Sequence, residues 1–297
     1  MIVPDQMRKC VVYLGRRKSD GTEELMGTGF LVARPYQREI IPNAGSSHTS
    51  FVYLITAKHI IDGIANVGSY DVLIRFNLRN GQAQWVDSKL SDWRYHPTEA
   101  AFVDVAALPM LGLGLQLDHG VFPIVGFATP ERVTSEDIGL GEETFIVGLF
   151  ANHHGNSKNI PIVRIGNIAA MPEEKVATAI GEIDAYLLEA RSIGGLSGSP
   201  VFVNLGIMRD RGGILEVEQI VSQGQRRKGT IYLLGLIHGH YDTEKESINK
   251  VNMGIAIVVP AAKILEVIDQ EDFLDYENEQ RSRYESRNLA DSSNLTD

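Results

Sequence analysis

The sequence predicts an all-β protein in two halves, each of roughly six strands. Three observations carry this. Apolar segments are short, rich in Val, Ile, Leu, Tyr and Phe, and punctuated by Gly, Asn and Pro, a strand pattern rather than a helical one. Asn80 and Gly81 sit between two such segments, IRFNL and QAQWV, and both tolerate the positive φ of a tight hairpin turn. A stretch over 112–141, with Gly112, Gly114 and Gly120 followed by polar residues to Gly141, interrupts the strand pattern and reads as the crossing between the halves.

In the first half the pattern predicts strands at 8–15, 24–33, 50–56, 71–77, 83–88 and 104–110. In the second it predicts strands near 143–150, 161–170, 185–190, 199–204, 230–238 and 253–259. Two segments read as helices. AKHIIDGI (57–64) gathers its apolar residues on one face, and 261–269 follows Pro260 at a helix start. These elements divide the chain into a first domain over 8–115, a second over 116–270, and a polar tail over 271–297. The tail has few apolar anchors and is expected to be mostly disordered, with partner docking as its alternative role.

Of the 297 residues 43% are hydrophobic and 22% charged, enough apolar material for a large core. The formal net charge of −10 argues against nucleic acid as a partner, because a phosphate backbone attracts basic surfaces. The short basic run Arg226, Arg227 and Lys228 reads as a solvated loop, in a 205–229 segment that looks like a surface insertion. The single cysteine, Cys10, excludes an intramolecular disulfide, and its apolar neighbours predict a buried, inert thiol. No secretory leader pattern and no membrane-spanning run is visible, so the expectation is a cytoplasmic protein with no membrane partner.

Three segments carry candidate chemistry. In GLSGSPVF (195–202) Ser197 is flanked by Gly195 and Gly198, with Pro200 beyond. A serine nucleophile needs its Oγ presented at a tight bend, with backbone N–H groups beside it to bind an oxyanion. Gly195 lets the backbone turn without a Cβ clash, so Gly195 and Ser197 are the candidate N–H donors. In LITAKH (54–59) an apolar strand runs into His59 at the start of a helical turn, a rigid mount for a general base. In VDVAAL (103–108) Asp104 enters an apolar run, where burial demands a partner that an imidazole N–H would supply. Each has a plainer reading alone: a Gly/Ser hairpin, a structural histidine, a strand-end aspartate.

Together with GTGFLVA (27–33), LLGLIHGH (233–240) and MGIAIVVPAAKILEVI (253–268), these segments resemble the trypsin-like, chymotrypsin-fold serine peptidases of bacterial type over about residues 8–268. The order His, Asp, Ser is the one this family uses. The resemblance implies two antiparallel six-stranded Greek-key β-barrels with a C-terminal helix and a site in the cleft between them. It also implies a serine endopeptidase acting on protein or peptide, with His59, Asp104 and Ser197 as the triad and an oxyanion hole at Gly195 and Ser197. A catalytically weak peptide-binding module, or an effector triggered by a protein partner, are the alternatives.

Leu196 departs from the family. Digestive members carry an Asp there that pairs with a newly cut N-terminus and shapes the oxyanion hole; leucine cannot, so activation of that type is not expected. Local packing, a partner or substrate must shape the hole instead. The resemblance places Arg191 and Ser192 near the base of the pocket for the residue preceding the cut, where Arg191 would favour an acidic side chain or else pair with Glu189 or Asp184. The strand over 235–240 is expected to line that pocket, with His238 or His240 touching substrate. The pairs His153-His154 and His238-x-His240 invite a metal, but no third ligand stands at metal-site spacing, so no metal or cofactor is expected.

Overall fold

The computed structural model describes the backbone of residues 2–35, 50–110, 113–190, 195–206, 208–211, 214–217, 231–242 and 252–293, and the side chains of these except 208–211, 214–217, 241–242, 252–253 and 283–293. A short helix, α1 (Asp5–Lys9), leads into β1 (Val11–Arg17), β2 (Glu23–Pro35) and β3 (Ser50–Thr56). Helix α2 (Lys58–Asn66) follows, then β4 (Asp71–Asn77), β5 (Ala83–Lys89), β6 (Arg94–Tyr95) and β7 (Ala106–Met110). These strands form one curled antiparallel sheet in the order β5-β4-β1-β2-β3-β7-β6, and β8 (Phe122–Pro123) adds a parallel pairing to β2. The predicted hairpin is present: β4 and β5 pair from Asp71↔Lys89 to Asn77↔Ala83, and Gly81 takes φ +85°.

Helix α3 (Pro130–Ser135) opens the second half. Its Thr129 side chain accepts the Arg132 N–H, and Pro130 fills the first helical position, the expected start signal. The strands β9 (Glu143–Gly148), β10 (Ile162–Ala170), β11 (Val176–Thr178), β12 (Gly181–Ile183) and β13 (Tyr186–Glu189) follow. Next come β14 (Pro200–Asn204), β15 (Met208–Arg211), β16 (Ile214–Val217), β17 (Ile231–Asp242) and β18 (Asn252–Pro260). Six of them close into a barrel, β10-β13-β18-β17-β14-β9, while β11-β12 and β15-β16 are separate hairpins. The basic run 226–228 lies outside the described residues.

The expected closed barrel in the first half is corrected by this topology. Among the described residues no ladder joins β5 to β6, so the first sheet stays open. β6 has only two residues, and β5 carries Asp87 and Lys89 along a half-exposed edge. A two-residue strand offers too few partners to close a ladder, and charges discourage edge pairing.

The tail is the second correction. Instead of disorder, Glu271–Ser293 forms helix α5, following α4 (Ala261–Ile268), whose Ile264, Val267 and Ile268 are buried. Phe273 is 3% exposed and stacks obliquely on Tyr53 at 5.4 Å. Glu277 is also buried, accepting a hydrogen bond from Tyr53 Oη and pairing with Arg34 at 3.1 Å; Arg34 also reaches Asp269. The average polarity of 271–297 hid a short apolar face, Phe273 and Tyr276, at helical spacing. No helix among the described residues is long and apolar enough to cross a membrane.

The two halves share a core. Val12, Tyr13, Leu31 and Ile55 of the first sheet belong to the same buried cluster as Phe145 and Phe202 of the barrel, and Phe122 bridges them, 5.1 Å from Phe202. A polar joint lies alongside: Arg75, stacked over Trp85, donates to the carbonyls of Gly155 and Asn156, and Asn77 exchanges hydrogen bonds with the Asn159 backbone. Cys10 is fully buried, as expected, and desolvation pushes its thiol up to about 12.

Candidate active site

The site forms where β3 ends. Thr56 closes that strand, Ala57 caps α2 without a side-chain hydrogen bond, and His59 stands in the first helical turn. The first N–H groups of a helix have no partner within it. Asp104, just before β7 and 3% exposed, supplies one: its Oδ1 accepts the His59 backbone N–H at 2.8 Å. Its Oδ2 accepts His59 Nδ1 at 2.7 Å. One carboxylate thus holds both the backbone and the ring of His59. A donating Nδ1 leaves Nε2 with a free lone pair, the form a general base requires.

Oδ2 also accepts His238 Nδ1, at 2.5 Å, and the two rings meet edge to face with centroids 5.7 Å apart. Burial by itself would raise the Asp104 carboxyl, but the hydrogen bonds from His238 and His59 outweigh it and hold Asp104 well below the usual carboxylate range. Burial works against the charged form of His59, yet the Asp104 hydrogen bond and charge prevail and raise it.

This placement revises the expectation for His238. The resemblance implied that the 235–240 strand lines a substrate pocket, with His238 or His240 touching substrate. The β17–β18 register runs Ile237↔Val258 then Gly239↔Ile257, so a bulge takes His238 out of the ladder. Its side chain, 12% exposed, is aimed at Asp104. His240 lies opposite Ala256. Arg191 and Ser192 lie outside the described residues.

The Ser197 loop is docked against the first half. Gly195 and Gly198 take φ +98° and +77°, conformations that suit glycine. Leu196 is fully buried in the barrel core. Gly198 N–H donates to Ile237 C=O and Ile237 N–H to Ser199 C=O, tying the loop to β17 beside His238. Among the described residues the Ser197 side chain has no hydrogen bond to His59, and the Ser197 N–H has no backbone acceptor.

Thr28, fully buried on β2, is the residue that sequence reasoning missed. Its N–H donates to Ser197 C=O at 3.1 Å, and its Oγ1 donates to Gly195 C=O at 2.8 Å while accepting Leu149 N–H at 2.9 Å. Its own carbonyl accepts Thr56 Oγ1. A threonine between two glycines, Gly27 and Gly29, was the available signal. Thr28→Val removes one hydroxyl and strands two backbone groups. We expect a loss of about 1–3 kcal/mol, the usual cost of unpaired buried polar groups, read as a lower urea midpoint, with Thr28→Ser close to the parent.

Two groups of metal-type side chains occur among the described residues. In the first, both His Nδ1 atoms sit 2.5 and 2.7 Å from Asp104 Oδ2, closer than ligands arranged tetrahedrally about 2.0–2.2 Å from a zinc ion. In the second, His96 Nδ1 accepts the Glu99 N–H, Nε2 faces Glu266, and Lys263 bridges Glu99 and Glu266. An ammonium already fills the role of the cation there.

No family model matches the chain, and no curated protein matches its sequence. Solved structures similar to it include the MamO protease domain of Magnetospirillum magneticum in its apo form, at 15% identity over 88% of this chain and 96% of that one, with TM-score 0.49. Deg5 is similar at 14% identity over 88% of each chain, TM-score 0.47, and HBP at 9% over 91% and 93%, TM-score 0.48. Likenesses of this degree leave the reading of the site to its own geometry.

Proposed function

We propose that this protein is a serine endopeptidase with His59, Asp104 and Ser197 as its triad. The observation that carries the reading is the pairing of His59 with the buried Asp104 carboxylate, beside a Ser197 loop pinned by Thr28. His59 Nε2 takes the Ser197 proton as Oγ attacks the carbonyl of a peptide bond. The Gly195 and Ser197 N–H groups bind the oxyanion, and Asp104 stabilises the imidazolium. His59 then protonates the leaving amine, and water, activated in the same way, hydrolyses the acyl-enzyme. Arg191 and Ser192 are proposed to meet the residue preceding the cut, with an acidic preference that a peptide-library scan would reveal; a basic or aromatic preference would end that part of the reading.

A second reading, a peptide-binding module of the same fold, draws on the missing Ser197–His59 hydrogen bond. A fluorophosphonate probe separates the two, since it needs an activated serine. Labelling of the full chain near neutral pH, lost in Ser197→Ala, is expected. A parent protein that is neither labelled nor able to cleave peptides would instead establish the module.

A further inference from the structure

We infer that His238 is a positioning residue for this reaction: its Nδ1–H bond to Asp104 makes one buried carboxylate orient two imidazoles, and His59 is held as base only while both are in place. The inference rests on the peptidase reading above. Asp104 has three donors: the His59 N–H on Oδ1, and both His Nδ1 groups on Oδ2. At 3% exposure the carboxylate must draw its hydrogen bonds from the protein. Without His238, only His59 would hold Asp104, and the His59 ring would lose the edge-to-face neighbour that fixes its plane.

His238 also competes for the oxygen that steadies the His59 proton. Both Nδ1 groups share Oδ2, so each leaves the other a weaker acceptor. Other charged groups lie to one side. Lys58 and Asp62 on α2 act on His59, with Lys58 over the Tyr95 ring of β6. Across from the bulge, β18 presents only Val258 and Ile257; His240 follows on β17. Removing His238 therefore leaves the Asp104–His59 pair stronger but less well aligned. The base stays protonated to higher pH and works more slowly once free.

The test uses the full chain, a fluorophosphonate and two near-isosteric variants. His238→Leu removes the donor; His238→Asn places an amide N–H near the position of Nδ1. The maximal rate of Ser197 labelling is expected to fall about tenfold or more in His238→Leu, with little change in probe affinity. The acid limb of its pH profile moves to higher pH, and His238→Asn restores most of the rate. Proton NMR of the parent should show two low-field imidazole N–H signals, one of them missing in both variants. Parent-like rate and pH profile in folded His238→Leu would overturn the inference while leaving the peptidase reading intact. A parent that does not label overturns that reading and this catalytic role with it, whatever the NMR shows of the His238–Asp104 bond. Should His238→Leu not fold, the asparagine variant decides: a rate reduced to the level of an unpositioned base, or an unchanged pair of low-field signals, would overturn it.

Discussion

Replacing Asp104 by Asn is expected to lower Ser197 labelling and peptide hydrolysis by about four orders of magnitude, as in triads where the same change has been made. An amide that turns its NH2 toward Nδ1 makes that nitrogen an acceptor, so the ring proton moves to Nε2, where the lone pair is needed. Oδ1 can still accept the His59 backbone N–H, so the fold survives. Stability should depend on pH in a defined window. Asp104 is depressed in the folded chain, so its contribution is complete above the unfolded aspartate value, about 3.9, and is lost as pH falls through the folded one. His59 is raised, so its contribution is complete below the unfolded histidine value, about 6.5, and is lost as pH rises through its folded value. The His59–Asp104 bond enters both, and His238 adds to the first. Urea titrations of parent and Asp104→Asn should therefore differ most between about pH 4 and 6.5.

Gly198→Ala is expected to be the most disruptive single-methyl change in the site. A Cβ there would lie 2.2 Å from Thr28 O, 2.5 Å from Thr56 Oγ1 and 3.0 Å from Ala57 N, in a backbone conformation with φ +77°. The positive φ alone costs about 1–2 kcal/mol for a residue with a side chain. The contacts are mostly with backbone, so relief requires the loop to lift from β2 and give up the Thr28–Ser197 and Gly198–Ile237 hydrogen bonds. A total of about 4 kcal/mol follows, at roughly 1 kcal/mol for each lost hydrogen bond plus the clash. Thermal melting should fall by about 10 °C, and labelling should be lost even where the chain stays folded, because Ser197 moves away from His59.

Much of the site was legible because its chemistry is local in sequence. Ser197 sits between glycines whose positive φ the turn requires, and His59 follows closely on a strand that apolar residues define. The Asp104 partnership was legible from cost, since an aspartate inside VDVAAL needs a donor. What could not be read was long-range. Thr28 reaches Gly195 across 167 residues, and nothing in GTGF names that partner. His238 was assigned to the pocket through the resemblance of the 235–240 strand, and nothing local in LLGLIHGH marks the bulge that turns it to Asp104. The open edge of the first sheet depends on how short β6 is, and strand length is the least certain quantity in a pattern of alternating residues. The 271–297 tail failed for the opposite reason: composition averaged over it concealed Phe273 and Tyr276.

Thr28 belongs to one half of the molecule, while the loop it holds belongs to the other. The loop is thus held by its neighbour as well as by its own barrel. On the peptidase reading proposed above, a ligand that wedged the halves apart would break these bonds without touching His59, Asp104 or Ser197. The seam from Thr28 past Leu149 to Asn159 is where such a wedge would act.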